Sequence, residues 1–132
     1  MYKRQATKYE DYSTRAWPAV VALGDAIRFH NSLGQQRKDD YYNYLWSETK
    51  KIIDKESRLD WLSPSNYDLG SMIMTIGIQS RSSFELSEIL SNDYNIHIRP
   101  FEKPINALRI SPNLSSDLND IQKLIDVVLK HM

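Results

Sequence analysis

Residues 107–112, Ala107-Leu108-Arg109-Ile110-Ser111-Pro112, decide how the rest of this chain is interpreted. The run predicts a short strand that ends at the proline, because proline has no backbone N–H to donate to a neighbouring strand. Arg109 is charged within this apolar strand. An arginine is costly to bury without a partner, so it indicates a bound anion. Its planar guanidinium suits a carboxylate or a phosphate held by two hydrogen bonds.

The two faces of this strand, placed at 105–110, differ in character. Because side chains alternate along a strand, Leu108 and Ile110 share one face, which is apolar and predicts the core side. The other face is small and apolar with a cation at its end, and it carries Ile105, Ala107 and Arg109. Such a face is typical of the wall of a ligand site or of an interface between domains.

At this point Arg109 has two open interpretations. It binds an anionic ligand, or it forms an internal salt bridge, for which Glu102 and Asp117 are the candidates. No other catalytic or metal site is predicted. The three histidines are far apart and lack a partner at metal-ligand spacing. The acidic pairs Asp39-Asp40 and Asp117/Asp120 are interpreted first as carboxylates near helix starts.

Composition narrows the functional classes. The chain has 132 residues and equal numbers of acidic and basic side chains, so no field of one sign steers it onto nucleic acid or an anionic membrane. Without cysteine, it has no disulfide and no thiolate chemistry. No apolar run approaches the roughly 18 residues of a membrane span, and no apolar signal segment opens the chain. A cytoplasmic location is therefore the default expectation.

The order of elements predicts an α+β fold: a small, mostly antiparallel sheet covered on one face by helices. An extended lead-in at 1–16 precedes one small domain at 17–132. The predicted order is α-α-β-α-β-β-α, with a first helix from Pro18 to Gly34, a second at 35–57, a loop at 58–70, strands at 72–78, 96–99 and 105–110, and a last helix capped by Ser116.

Several motifs follow one another in a recognisable order. They are Ser13-Thr14-Arg15, the segment 22–34 ending in Leu33-Gly34, the run Tyr94-Asn95-Ile96-His97-Ile98-Arg99-Pro100-Phe101, Arg109-Ile110-Ser111-Pro112, and Asp120-Ile121 with Leu124. Together they resemble the C-terminal segment of class V pyridoxal-phosphate enzymes. That family contains cysteine desulfurases and isopenicillin N epimerase-like proteins. The resemblance implies a fold like that of the aminotransferase C-terminal domain.

The resemblance also implies roles for two residues. Arg109 takes the position that binds the substrate carboxylate in the family, and Thr14 takes the position that reaches the phosphate of the pyridoxal phosphate cofactor. Two departures stand beside these matches. Ser13 replaces a glycine, which affects how closely the backbone approaches a phosphate, and Ser115-Ser116 replaces the family's Tyr-Asn.

The family's cofactor-bearing lysine lies in a large domain upstream, to which no segment here corresponds. The chain is therefore predicted to be the small domain alone, without catalytic competence by itself. Its partners would be a small amino-acid-like carboxylate and a large pyridoxal-phosphate domain or second subunit. Apolar faces at Tyr12, Trp17 and Tyr41/Tyr44 favour a homodimer. The alternatives are a non-enzymatic carboxylate-binding or protein-interaction module, and an inert truncation product.

Overall fold

The computed structural model describes residues 16–132. The chain divides into two compact units, Met1–Gln35 and Gln36–Met132, and each is described by itself. The division expected from the sequence, a lead-in at 1–16 and one domain at 17–132, stays a prediction. No helix within residues 16–132 is both long enough and apolar enough to cross a bilayer.

In the first unit, helix α1 spans Trp17–Leu33. Pro18 lies in its first turn, where a missing N–H costs nothing because no helical acceptor is available there. Gly34 ends the helix with a φ of 79°, which glycine adopts without strain, and its N–H donates to the carbonyl of Asn31. The predicted start and end of this helix are confirmed. None of its residues is buried.

The second unit contains the sheet. From Gln35 onward the elements are α2 (Gln35–Ile53), β1 (Leu59–Trp61), β2 (Met74–Ile78), α3 (Ser83–Tyr94), β3 (Arg99–Phe101), β4 (Ala107–Ile110) and α4 (Leu118–His131). The four strands pair antiparallel in the order β1-β2-β4-β3. The predicted α+β class and antiparallel sheet are confirmed.

One face of the sheet carries the core. The strands contribute Met74, Ile76, Leu108 and Ile110 to it, each at most 5% exposed. The helices cover this face with Leu45, Ile53, Leu86, Leu90, Ile121, Leu124, Ile125 and Val128. Arg109 lies on the opposite face, as the alternation in the sequence predicts, and its side chain is exposed.

Two strand predictions were wrong. The segment 58–70, predicted as a loop, contains β1, whose Leu59 and Trp61 lie opposite Ile78 and Ile76 of β2. Three residues are too short for a periodic signal, so this strand exists only through its pairing. The other error concerns Pro100, which was predicted to end a strand at 96–99.

Pro100 instead lies in the middle of β3, opposite Leu108 of β4. β3 is the edge strand of the sheet, where a residue without an N–H is tolerated because one side of the strand has no partner. The predicted second helix was also too long, since α2 ends at Ile53 and the chain then turns toward β1.

The cap of α4 is Asp117, so the prediction of Ser116 was wrong by one residue. The Asp117 carboxylate accepts from the N–H of Asp120 at 2.9 Å, and the Asp120 carboxylate accepts from the N–H of Asp117 at 3.1 Å. This reciprocal capping box satisfies two helix-end donors. The Ser116 hydroxyl accepts from the N–H of Asn113 instead.

Asn106 holds the start of β4 against two other segments. Its amide nitrogen donates to the carbonyls of Ile78 at 2.9 Å and Arg81 at 2.7 Å. Its amide oxygen accepts from the N–H of Ser83 at 2.9 Å. One side chain thus joins the end of β2, the following turn and the first residue of α3 to the strand that carries Arg109.

Candidate functional site

Three residues form a row across the face of the sheet opposite the core, which we call the open face. Arg109 of β4 lies opposite Thr75 of β2 on one side and opposite Arg99 of β3 on the other. Directly opposed residues of antiparallel strands point to the same face. The sheet therefore places two guanidinium groups side by side, with a hydroxyl on the next strand.

Neither arginine of this row has a hydrogen-bond or ion-pair partner among residues 16–132. The two proposed internal partners of Arg109 are engaged elsewhere. Glu102 accepts from the Ser82 hydroxyl at 2.6 Å, and Asp117 caps α4. Within the described part of the chain, Arg109 therefore forms no salt bridge, and its guanidinium can bind an added anion.

A cavity of about 520 Å³ adjoins the row. Its wall is formed by the segment 94–99, the residues 109–112 at the end of β4, and the first turns of α4 from Ser116 to Leu124. Its volume falls within the range of small-molecule sites, which runs from roughly 300 to 1,000 Å³. Arg109 and Arg99 both line it, so the free cations adjoin a space that a small ligand fits.

The charge around this cavity is strongly unbalanced. Within residues 16–132, the cavity is lined by Arg99, Arg109, Lys123 and His97, and by one carboxylate, that of Asp120. That carboxylate already serves the capping box of α4. A chain of zero net charge therefore concentrates positive charge here, which attracts an anion.

Among the remaining residues considered from the sequence, His97 lines the cavity. Thr14 falls outside the described residues. The His97 ring nitrogen Nδ1 lies 3.2 Å from the Ser91 hydroxyl, and the His131 nitrogen Nε2 lies 3.0 Å from the Tyr94 hydroxyl. Within residues 16–132, no group of three or more histidine or carboxylate side chains comes together to hold a metal ion.

The aromatic residues divide between the core and the surface. Trp46 is buried and meets the rings of Trp61 and Tyr67 edge-on, at centroid distances of 5.2 and 5.8 Å. Burial raises the pKa of Tyr67 above its ordinary value, with nearby Asp39 adding to the effect. These rings stabilise the sheet end near β1 and add nothing to the anion site.

Arg99 and Lys123 are the site residues that the sequence did not single out. The alternation Ile96-His97-Ile98-Arg99 predicted a strand with Arg99 on its polar face, but β3 begins only at Arg99, so residues 96–98 give no reliable signal for its position. Its pairing with Arg109 depends on the register between β3 and β4. Lys123 reaches the cavity only because α4 packs across the core face of the sheet.

Among solved structures, the chain is similar to the apo structure of a cysteine desulfurase from Thermococcus onnurineus NA1. The TM-score is 0.80 at 18% sequence identity, and the match covers 92% of this chain but 32% of that chain. At this identity the likeness shows a shared fold. No protein-family model matches the chain, and no curated protein does either.

Proposed function

We propose that this chain is the small C-terminal domain of a class V pyridoxal-phosphate enzyme, in which Arg109 binds the carboxylate of an amino-acid-like substrate. The observation that carries the proposal is the unpaired guanidinium of Arg109 beside a cavity of about 520 Å³. The motif order around Arg109 and the fold shared with part of a cysteine desulfurase support it.

β4 is well suited to hold such a binding group. It pairs with β2 on one side and β3 on the other, so the backbone under Arg109 is fixed by hydrogen bonds from both directions. The side chains before and after Arg109, Leu108 and Ile110, are anchored in the core. A guanidinium held on this rigid strand can donate two hydrogen bonds to a carboxylate and so set the orientation of the ligand.

In the full-length family, pyridoxal phosphate supplies an electron sink for reactions at the amino-acid α-carbon. A Schiff-base lysine needs an enclosed pocket, and every lysine within residues 16–132 is at least partly exposed. The described residues therefore do not fit that cofactor. We assign no catalytic step to them, and the role of Thr14 toward the cofactor phosphate stays a proposal.

The proposed partner is a large cofactor-binding domain or a second subunit, with a homodimer in the cytoplasm as the expected assembly. The cysteine desulfurase with the same fold is about three times as long as the matched segment. Helix α1 also carries large apolar side chains that are more than half exposed, namely Trp17, Val20, Val21, Leu23, Ile27 and Phe29. A helix that is apolar on most sides normally lies inside a larger structure.

A binding module without catalysis is the second candidate. The described residues that line the cavity all lie between Tyr94 and Leu124, in the second unit of this chain. In this case the chain would bind a small carboxylate, or a protein partner through α1, without any cofactor domain. Carboxylate binding by Arg109 is common to both candidates, and it is tested first.

We expect Arg109→Gln to weaken binding of L-alanine by the full chain about tenfold, because a charge-assisted pair of hydrogen bonds is lost. Calorimetry or NMR titration measures the change. Arg37→Gln is the matched control, since Arg37 is an exposed arginine of α2 outside the cavity. Alaninamide, which has no carboxylate, should bind both proteins equally weakly. Unchanged affinity in Arg109→Gln would remove Arg109 from the site.

The partner proposal predicts self-association through α1. We expect Ile27→Glu to shift the chain from dimer toward monomer in sedimentation experiments, because a charge would be buried in an apolar interface. Ser32→Glu adds the same charge to the side of the helix that carries Asp25 and Arg28, about 140° around the helix axis from Ile27, and should leave the dimer intact. A wild-type chain that stays monomeric at high concentration would contradict the homodimer and leave the large domain as the proposed partner.

A further inference from the structure

The site holds more positive charge than one carboxylate needs. Arg99 and Arg109 lie directly opposite each other on antiparallel strands, and like charges in such positions repel. Lys123 lines the same cavity. Among the described residues that line the cavity, these three cations face one carboxylate, that of Asp120, so positive charge is in excess by two.

We propose that the cavity takes a ligand with two acidic groups, one bound by Arg109 and the second by Arg99 with Lys123 nearby. The proposal rests on the proposed function for its first half, the carboxylate at Arg109. Its second half, the acidic group at Arg99, is argued from the two arginines that lie side by side without a partner within residues 16–132. The ligand class is a small dicarboxylate, or a carboxylate that also carries a phosphate.

Among the acidic side chains within residues 16–132, none pairs with Arg99. Glu102, two residues after Pro100 on the same chain segment, accepts a hydrogen bond from the Ser82 hydroxyl. Asp120 lines the cavity, yet its carboxylate accepts from the N–H of Asp117 in the capping box. Arg99 has no hydrogen-bond or ion-pair partner in the part of the chain that the structure describes. Because no acidic side chain within residues 16–132 pairs with Arg99, we assign this role to the second acidic group of the ligand.

The placement of Arg99 also suits a ligand rather than the fold. β3 is the edge strand, and the Arg99 side chain is exposed on it, so the core does not depend on this side chain. Arg109 lies one strand further in, toward Thr75. A ligand lying along this row would meet one cation with each of its two acidic ends.

The test compares ligands that differ only in the second acidic group. L-Glutamate and L-glutamine have the same shape, but the second carboxylate of glutamate is a neutral amide in glutamine. We expect the wild-type chain to bind glutamate about tenfold more tightly than glutamine in titrations at low salt. Arg99→Gln should remove this preference by weakening glutamate binding about tenfold, with a much smaller effect on glutamine, whose side-chain amide is neutral. Arg99→Lys should retain part of the preference.

A parallel comparison of O-phospho-L-serine with L-serine identifies the second group. A larger preference in this pair than in the glutamate pair assigns a phosphate, and a smaller one assigns a carboxylate. Equal binding within both pairs by the wild-type chain would overturn the two-acid proposal. So would an Arg99→Gln variant that keeps the full preference in both pairs.

Arg109→Gln separates this proposal from the one on which it rests. If it weakens all four ligands alike while Arg99→Gln acts only on the doubly acidic ones, both proposals are supported. If Arg109→Gln weakens all four and Arg99→Gln weakens none, the proposed function stands and the second acidic group is excluded. If Arg109→Gln changes nothing, the proposed function fails, and the two-acid ligand fails with it. Circular dichroism of each variant checks that the fold is retained.

Discussion

Replacing Asn106 by alanine should lower the free energy of unfolding by about 3 kcal/mol, since each of three lost hydrogen bonds contributes about 1 kcal/mol. The side chain joins two carbonyl groups, of Ile78 and Arg81, and the N–H of Ser83. Alanine leaves these backbone groups without their partner in a partly buried place, and their desolvation is no longer compensated. β4 also loses its anchor to the start of α3.

Urea denaturation followed by tryptophan fluorescence measures this loss. Asn119→Ala is the matched control, because Asn119 is an exposed asparagine of α4 with one long hydrogen bond, and its removal should change stability by less than about 0.5 kcal/mol. If Asn106→Ala were no less stable than the control, the three bonds would not hold β4. Ligand titration of the folded variant then shows whether a loosened β4 also weakens the site.

The parts of the fold that the sequence predicted correctly are those with local signals. Pro18 and Gly34 mark the two ends of α1. Proline has no N–H to donate, which the first turn of a helix tolerates, and glycine adopts the positive φ that ends the helix. The alternation in β4 assigned Leu108 to the core and Arg109 to the open face, since successive side chains of a strand point to opposite faces of the sheet. These signals act within a few residues.

The parts that the sequence did not predict depend on contacts between distant segments. β1 is a three-residue strand that exists through its pairing with β2. Pro100 is compatible with β3 only because that strand lies at the edge of the sheet. The bonds of Asn106 reach across 23 to 28 positions of sequence. A single sequence contains no local signal that specifies which distant segments pair with each other or in which register.

The candidate site shows the same division. Arg109 was proposed as a site residue from its own surroundings, as a charge in an apolar strand, and that role stays a prediction. Arg99 became part of the site only through the register that places it opposite Arg109, and Thr14 lies outside the described residues. Within residues 16–132, Arg109 forms no ion pair with Glu102 or Asp117, and its binding of a ligand carboxylate stays a prediction.

The core side of β4 should tolerate change much less than its open side. Leu108→Ala is expected to lower the free energy of unfolding by about 3–4 kcal/mol, through lost apolar burial and the cavity left behind. Leu108 is 0% exposed on an inner strand of the sheet, opposite Ile76, and both belong to the main core cluster. Strands pair with it on both sides, so the surrounding backbone has little freedom to close the gap.

Ile105→Ala is the matched control, because Ile105 lies just before the same strand but is 52% exposed, so its loss should cost less than about 1 kcal/mol. Chemical denaturation of the two variants measures the difference. If Leu108→Ala were as stable as Ile105→Ala, the core would not lie under β4. Arg109 is adjacent to Leu108 but lies on the open face. Arg109→Gln should therefore leave the free energy of unfolding nearly unchanged while weakening ligand binding. Opposite responses at positions 108 and 109 would show that one strand supports the fold with one face and the binding site with the other.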